Sequence, residues 1–178
     1  MMHTRQHQFG AAVIVVLALP MIFSTGCATI GGTPQYTQML PPDSRIVASD
    51  TVQTEVSAAP NVPIAQDEKT RLANQITNDI RSRAAQNARA SRSYQIVVLV
   101  TRYDKGNAFA RSMLAGLGQM HIDGTVSVFT PPGNKIGEFT INKTFSWGGI
   151  YGASTTIKTV EAGFAKAVAD TVIAKSRG

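Results

Sequence analysis

The residue whose type and position best define a chemistry is Cys27, the single cysteine of the chain. It follows a start with one charge, Arg5, an apolar run from Phe9 to Phe23, and the small residues Ser24-Thr25-Gly26. A basic start, an apolar run and small residues before a cut are typical of a secretory signal peptide. The run is shorter than the roughly 20 residues that span a bilayer. The pattern predicts that residues 1–26 are a signal peptide.

Apart from this cysteine, few side chains could do acid–base or metal chemistry. After the leader, His121 is the only histidine, and it shares a predicted strand face with Asp123. A zinc site needs three or four nitrogen or sulfur ligands, and the sequence contains no Gly-x-Ser-x-Gly nucleophile elbow. We therefore expect no enzyme activity, no metal and no cofactor. An envelope hydrolase that uses His121 and Asp123 is the enzymatic alternative. Asp50, which follows a predicted strand, is a further polar candidate, and we expect it to hold a turn or a strand end rather than to act in a site.

The basic residues define a second possible binding chemistry. The formal net charge is +6, and four arginines gather in the second half of a predicted helix: Arg81, Arg83, Arg89 and Arg92. Secretion and the absence of interleaved aromatic residues argue against a nucleic-acid partner. We expect a solvated helix face, with contact to anionic lipid headgroups as the functional alternative.

The leader resembles those of bacterial lipoprotein precursors. In these proteins the chain is cut before the cysteine, here between Gly26 and Cys27, and the cysteine is acylated. The resemblance implies a lipid anchor on Cys27, and several acyl chains hold a protein firmly where one does not. Ala28 after the cysteine would not be a retention signal for the inner membrane, which favours the outer membrane with the body facing the periplasm of a Gram-negative cell. An uncleaved anchor and an ordinary secretory signal are the alternatives.

The elements that must carry these residues follow from hydrophobic periodicity. Strict alternation predicts two strands, with a bulge near Gly137 in the second. Lys143 interrupts the apolar face of that strand, so we expect this end of the face to be exposed to water. A run of β-branched residues predicts a strand buried on both faces. Four-residue and helical spacings predict two helices. The predicted elements are strands over Arg45–Ser49, Thr51–Ser57, Tyr94–Tyr103, Gln119–Phe129 and Lys135–Trp147, and helices over Asp67–Ala90 and from about Ser154 to Lys175.

This order predicts an α+β fold, with a single antiparallel or mixed sheet of about four to five strands and two helices packed on one face. Residues 27–44 are rich in Gly and Pro without a period, which predicts a flexible tether. The resemblance to lipoprotein precursors implies that its first residue, Cys27, is the lipidated N-terminus. Residues 45–178 are then the periplasmic domain. A mature chain of this length can bury enough surface to fold alone.

Between two predicted strands lies a segment of glycines and apolar residues, Asp104 to Gln119. It resembles the signature of a bacterial lipoprotein family known as domain of unknown function 4410, with Gly106, Arg111, Gly116 and Gly118 at the matching positions. The resemblance covers about residues 45–175 and implies an envelope lipoprotein domain without an assigned reaction.

The residues of this segment also have their own interpretation. Phe109, Met113 and Leu117 share one face at four-residue spacing, and Gly116 and Gly118 allow a positive φ or a close backbone approach. The segment is either a helical crossover packed on the sheet or an apolar surface offered to a partner or to acyl chains. The candidate partner-binding residues are Gly106, Phe109, Arg111, Met113, Gly116, Leu117 and Gly118.

Together these observations favour a non-enzymatic, membrane-anchored envelope lipoprotein whose periplasmic domain binds an envelope partner. The expected partners are the membrane, through the lipid anchor, and an envelope protein. An accessory role in an envelope transport or secretion assembly is the alternative, by analogy with other small lipoproteins.

Overall fold

The computed structural model describes residues 33–86, 91–113, 118–145 and 155–174. Over these ranges the chain forms one mixed sheet with helices on one face, so the predicted α+β class is confirmed. In chain order the elements are β1 (Gln35–Gln38), a 3₁₀ turn (Pro42–Ser44), β2 (Thr51–Ala58), α1 (Gln66–Arg83), β3 (Ser93–Asp104), α2 (Ala108–Met113), β4 (Met120–Thr130), β5 (Asn134–Phe145) and α3 (Ile157–Val172).

The five strands have the order β1-β5-β4-β3-β2. Only β2 and β3 are parallel, and α1 is the crossover that parallel neighbours require. α1 packs over β2, α3 packs over β4 and β5, and the two helices contact each other. The core therefore lies between one face of the sheet and a layer of two helices.

The periodic patterns in the sequence define this core. Leu72, Ile76 and Ile80, the four-residue stripe of α1, are fully buried. Residues of β4 alternate between the buried core face and a half-buried outer face. At Gly124 the helix layer comes so close that an added Cβ would lie 3.1 Å from Cζ of Phe164 in α3. A glycine at this position allows the large ring to pack directly on the sheet.

The prediction that β3 is buried on both faces is wrong. Ile96, Val98 and Val100 are fully buried, but Leu99 on the other face is 40% exposed and Val97 is half-buried. Both long helices lie on the same face of the sheet, so none of the described elements covers these side chains. The run of β-branched residues favours a strand, whereas the position of the helices decides which face of that strand is buried.

Two details of β5 were also predicted. The bulge is confirmed, because Val128 pairs with Gly137 and Phe129 with Lys135, which leaves Ile136 as the extra residue. The expected wet end of the face at Lys143 is wrong, since this side chain is only 3% exposed. Burial under α3, together with the nearby Lys166, lowers the pKa of Lys143, and Asp170 partly opposes that shift.

The start of the domain differs from the prediction. Residues 35–38, assigned from sequence to the flexible tether of 27–44, form an edge strand paired with β5, and Leu40 is buried against Gly137. Ile46 is buried but belongs to no strand; its N–H donates to the carbonyl of Val172 at 3.0 Å, just after α3 has crossed the sheet. The folded domain therefore begins by residue 35, about ten residues earlier than predicted.

The first long helix is shorter than the sequence predicts. α1 ends at Arg83 rather than near Ala90. After it, the carbonyl of Ala85 accepts a hydrogen bond from Ala48 at 3.0 Å, and its N–H donates to Ala174 at 3.3 Å. The backbone beyond Arg83 is thus bonded to the segments that flank β2 and α3, and these bonds compete with further helix.

We expect Leu40→Ala to lower the free energy of unfolding by about 2–4 kcal/mol, because it empties a buried site against β5. Met39→Ala is the matched control. Met39 is 69% exposed, so its truncation should change stability by less than about 0.5 kcal/mol. Urea unfolding of both variants makes the comparison. Equal and small losses would show that residues 35–40 are not part of the folded domain.

Candidate functional site

The candidate segment lies at one end of the sheet. β3 ends at Asp104, which pairs with His121 near the start of β4, and Met120 pairs with Phe145 at the end of β5. α2 joins β3 to β4 at this end. The ends of three neighbouring strands therefore position the segment.

The base of the segment is built by local hydrogen bonds. Oδ1 of Asp104 accepts from the N–H of Gly106 at 2.8 Å, and Oδ1 of Asn107 accepts from Ala110 at 3.1 Å, which caps the first turn of α2. The backbone N–H of Asn107 donates to the carbonyl of Gly118 at 3.2 Å. This hydrogen bond thus joins the residue that leaves the sheet after β3 to the residue that returns to it before β4.

Gly118 is required for that closure. Its φ is +63°, and an added Cβ would lie 2.3 Å from the carbonyl oxygen of Asn107. Gly106 also has a positive φ, of +62°. Gly118 thus shows both the positive φ and the close approach expected of it from the sequence. Gly116 and Leu117 lie outside the described residues, as does the side chain of Arg111.

The two described apolar side chains of α2 are exposed. Phe109 is 71% exposed and Met113 is 66% exposed, and their spacing places them on one face of the helix. α2 makes few contacts with the other described elements. In this part the segment therefore has the geometry of an apolar surface rather than that of a crossover packed on the sheet.

A buried ionic cluster lies near this end of the sheet. Glu161 of α3 is completely buried. It accepts two hydrogen bonds from the guanidinium of Arg71, from Nε and Nη2, both at 2.8 Å, and one from the hydroxyl of Tyr103 at 2.6 Å. The carboxylate thereby joins α1, α3 and β3.

A second ion pair extends this cluster to the candidate segment. Nζ of Lys105, the residue before Gly106, lies 2.8 Å from Oε1 of Glu68. Oε2 of Glu68 accepts from the N–H of Ala65 at 2.9 Å, which supports the first turn of α1. Burial alone would raise the pKa of Glu68, but the hydrogen bonds from Lys105 and Ala65 outweigh it and lower the pKa.

The protonation states of Tyr103 and Arg71 are fixed at ordinary pH. Burial, followed by its hydrogen bond to Glu161, raises the pKa of the Tyr103 phenol. The hydrogen bond to Glu161 raises the pKa of Arg71 despite burial. The phenol therefore stays a donor and the guanidinium stays charged, so the arrangement acts as a structural joint.

Sequence reasoning missed this cluster. Glu161 lies between Val160 and Phe164, on the side of α3 predicted to be apolar. A lone carboxylate beside such a stripe indicates a buried charge that needs a partner. The sequence therefore contained a sign that Glu161 needs a partner, but the pattern did not identify Arg71 and Tyr103 as its partners.

His121 and Asp50 were the other polar candidates. Nδ1 of His121 lies 3.0 Å from Oγ1 of Thr144 on the neighbouring strand, and burial followed by the charge of Arg102 lowers its pKa. The carboxylate of Asp50 accepts from the N–H groups of Val47 and Arg92, which is the turn role expected of it.

In the part of the chain that the structure describes, no three His, Cys, Asp or Glu side chains are grouped so that they could hold a metal ion. No helix within that part is long and apolar enough to cross a bilayer. The predicted cleavage and lipidation site, Gly26 and Cys27, lies outside the described residues.

These features define an α+β domain in which two helices cover one face of a five-stranded mixed sheet, with a protruding glycine-closed segment at one end. The chain belongs to the family described as Domain of unknown function (DUF4410), whose model matches residues 41–149. The resemblance seen in the sequence is thereby confirmed. No protein of curated function matches the sequence significantly.

Solved structures share this fold. The PelC dodecamer from Paraburkholderia phytofirmans is 14% identical with a TM-score of 0.55, over 80% of this chain and all of that chain. A point variant of the same protein, also a dodecamer, is 13% identical with a TM-score of 0.54, over 81% of this chain and all of that one. At this identity the similarity shows the fold alone.

We expect Glu161→Gln to lower the free energy of unfolding by about 2–4 kcal/mol, since it leaves the partly buried Arg71 without its ion pair. Glu138→Gln is the matched control, because Glu138 pairs with the more exposed Lys135 and such pairs contribute at most about 1 kcal/mol. Denaturant unfolding of both variants measures the difference. A loss at Glu161 no larger than that at Glu138 would contradict a structural role for the cluster.

Proposed function

We propose that this protein is a non-enzymatic lipoprotein of the bacterial envelope. It is anchored through Cys27 in the outer membrane, and its periplasmic domain binds an envelope partner through the segment that begins at Gly106. The leader and the family support the anchored location. The anchor needs no spanning helix, because several acyl chains are sufficient.

The exposure of Phe109 and Met113 is the observation that carries the binding proposal. Two large apolar side chains on one helix face are both mostly exposed, on a segment that a rigid set of hydrogen bonds holds away from the core. Contiguous exposed apolar surface marks interaction sites more often than it occurs without a role. The turns at Gly106 and Gly118 flank α2 and hold its exposed apolar face at this end of the sheet.

A photocrosslinking amino acid at residue 113 tests the proposal in living cells. We expect protein or lipid adducts at this position, and membrane fractionation should place the protein in the outer membrane. Met39 is about equally exposed, but it follows the end of β1 that points away from α2. The same probe at Met39 should therefore give only background. Adding Cys27→Ala should remove the outer-membrane location and reduce the adducts at residue 113.

Two results would contradict the proposal. Adducts at residue 113 no more frequent than at residue 39 would argue against the binding segment. An unchanged outer-membrane location of Cys27→Ala would argue against the anchor.

A second candidate function is a component of an envelope assembly built from copies of this chain. The observation that favours it is that β1 and β2 form the two edges of one sheet, and neither has a further strand partner among the described residues. Unpaired edges are templates for strand addition. The similar PelC structures are dodecamers.

The outer edge of β2 can be defined from its hydrogen bonds. The N–H groups of Thr51 and Ala59 donate to the carbonyls of Arg92 and Val100, at 2.8 and 2.9 Å. In a parallel pair, residues whose backbone N–H and C=O groups bond to the neighbouring strand alternate with residues whose N–H and C=O groups point away from it. The residues whose backbone points to the free edge are therefore Val52, Thr54, Val56 and Ala58.

Thr54→Pro should dissociate such an assembly. The proline removes an N–H that points to the free edge, and so it blocks strand addition while leaving the β2–β3 ladder intact. Thr54→Val is the matched control, since it loses the same hydroxyl contact with Thr77 but keeps the N–H. Light scattering in detergent should show multimers for the parent and for Thr54→Val. A monomeric parent, or a multimeric Thr54→Pro, would exclude assembly through this edge.

A further inference from the structure

The direction of β1 points the start of the described chain towards the end of the sheet that carries α2. Gln35 pairs with Thr140 and Gln38 with Glu138, so β1 runs antiparallel to β5. The chain that enters β1 at Gln35 therefore comes from the side of Phe145, the end of β5 that pairs with the start of β4. α2 enters β4 at this same end.

The length of the intervening chain limits how far the anchor can lie from this end. Eight residue steps separate Cys27 from Gln35, which span at most about 29 Å. Five steps along β5, from Thr140 to Phe145, rise about 17 Å. The anchor can therefore lie no more than about 12 Å beyond the end of the strands. An anchor that continues in the direction of β1 would thus hold the bilayer close to α2.

The side chains at this end suit a lipid surface. Phe109 and Met113 are exposed on one face of α2, and their carbon and sulfur atoms gain free energy on leaving water. The neighbouring Lys105 and Arg102 carry half-exposed cationic side chains, next to Asp104. Helices with apolar side chains on one face and Lys or Arg on the other lie at the headgroup boundary of a bilayer, with the apolar face about 5–10 Å deep. α2 and the residues just before it carry both kinds of side chain.

We infer that Phe109 and Met113 insert into the leaflet that holds the acyl chains of Cys27, so that α2 is a second membrane contact. This inference rests on the proposed anchor and names the envelope partner of the segment as the lipid bilayer. The anchor supplies the firm attachment. The apolar pair then fixes which end of the domain faces the membrane.

Quenching by brominated lipid tests this contact. The protein purified from membranes is placed in vesicles of phosphatidylethanolamine and phosphatidylglycerol, with and without brominated acyl chains. Met113→Trp and Met39→Trp each add one indole at sites of nearly equal exposure, 66% and 69%. Emission above that of the parent should fall by about half or more for Met113→Trp, where the indole reaches the acyl boundary. It should be unchanged for Met39→Trp.

The design separates failure of the contact from failure of the anchor. If the purified protein carries no acyl chain, the free Cys27 thiol is coupled to a maleimide lipid in the same vesicles, and the quenching is measured again. Equal quenching at residues 113 and 39 on anchored protein overturns the inference. Emission at residue 113 that shifts to the blue without quenching by bromine also overturns it, because that result shows a protein cover.

Discussion

The buried carboxylate of Glu161 is the constraint on which the arrangement of this domain depends. A charge without water must receive hydrogen bonds from every direction that it faces. Glu161 receives them from α1 and from β3, so both elements must meet α3 at one point. These hydrogen bonds are short, at 2.6 to 2.8 Å, and they add a directional constraint to the apolar contacts of the core. The helix layer is thereby held to the sheet in one register.

That register also determines where the candidate segment begins. Tyr103 is held in the cluster, and Lys105 is held by Glu68 at the start of α1. Gly106 follows at once and turns the chain outward. The exposed helix α2 therefore follows directly on this hydrogen-bonded cluster rather than on a loop at a free surface. A binding segment gains affinity from such preorganisation, because less conformational entropy is lost on contact.

Local patterns in the sequence predicted the parts of the structure that local physics decides. The alternation of β4 and the stripe of α1 are buried as expected, and the bulge near Gly137 and the conformation of Gly118 follow from single positions. Burial of Leu99 and Lys143 was predicted wrongly, because it depends on which face the helices cover. The pair of Arg71 and Glu161, 90 residues apart, has no signature in either helix alone.

The pairing of β1 with β5 has a consequence for how copies of the protein would meet. Under the proposed anchoring through Cys27, the strand axes would stand upright on the bilayer, and the edges formed by β1 and β2 would face sideways. Anchored molecules diffuse in a plane and keep one end down, so two of the three rotations needed to align the edges are already restricted. Confinement of this kind raises the effective concentration of one edge near another. Anchoring would therefore strengthen the strand addition that is measured in detergent.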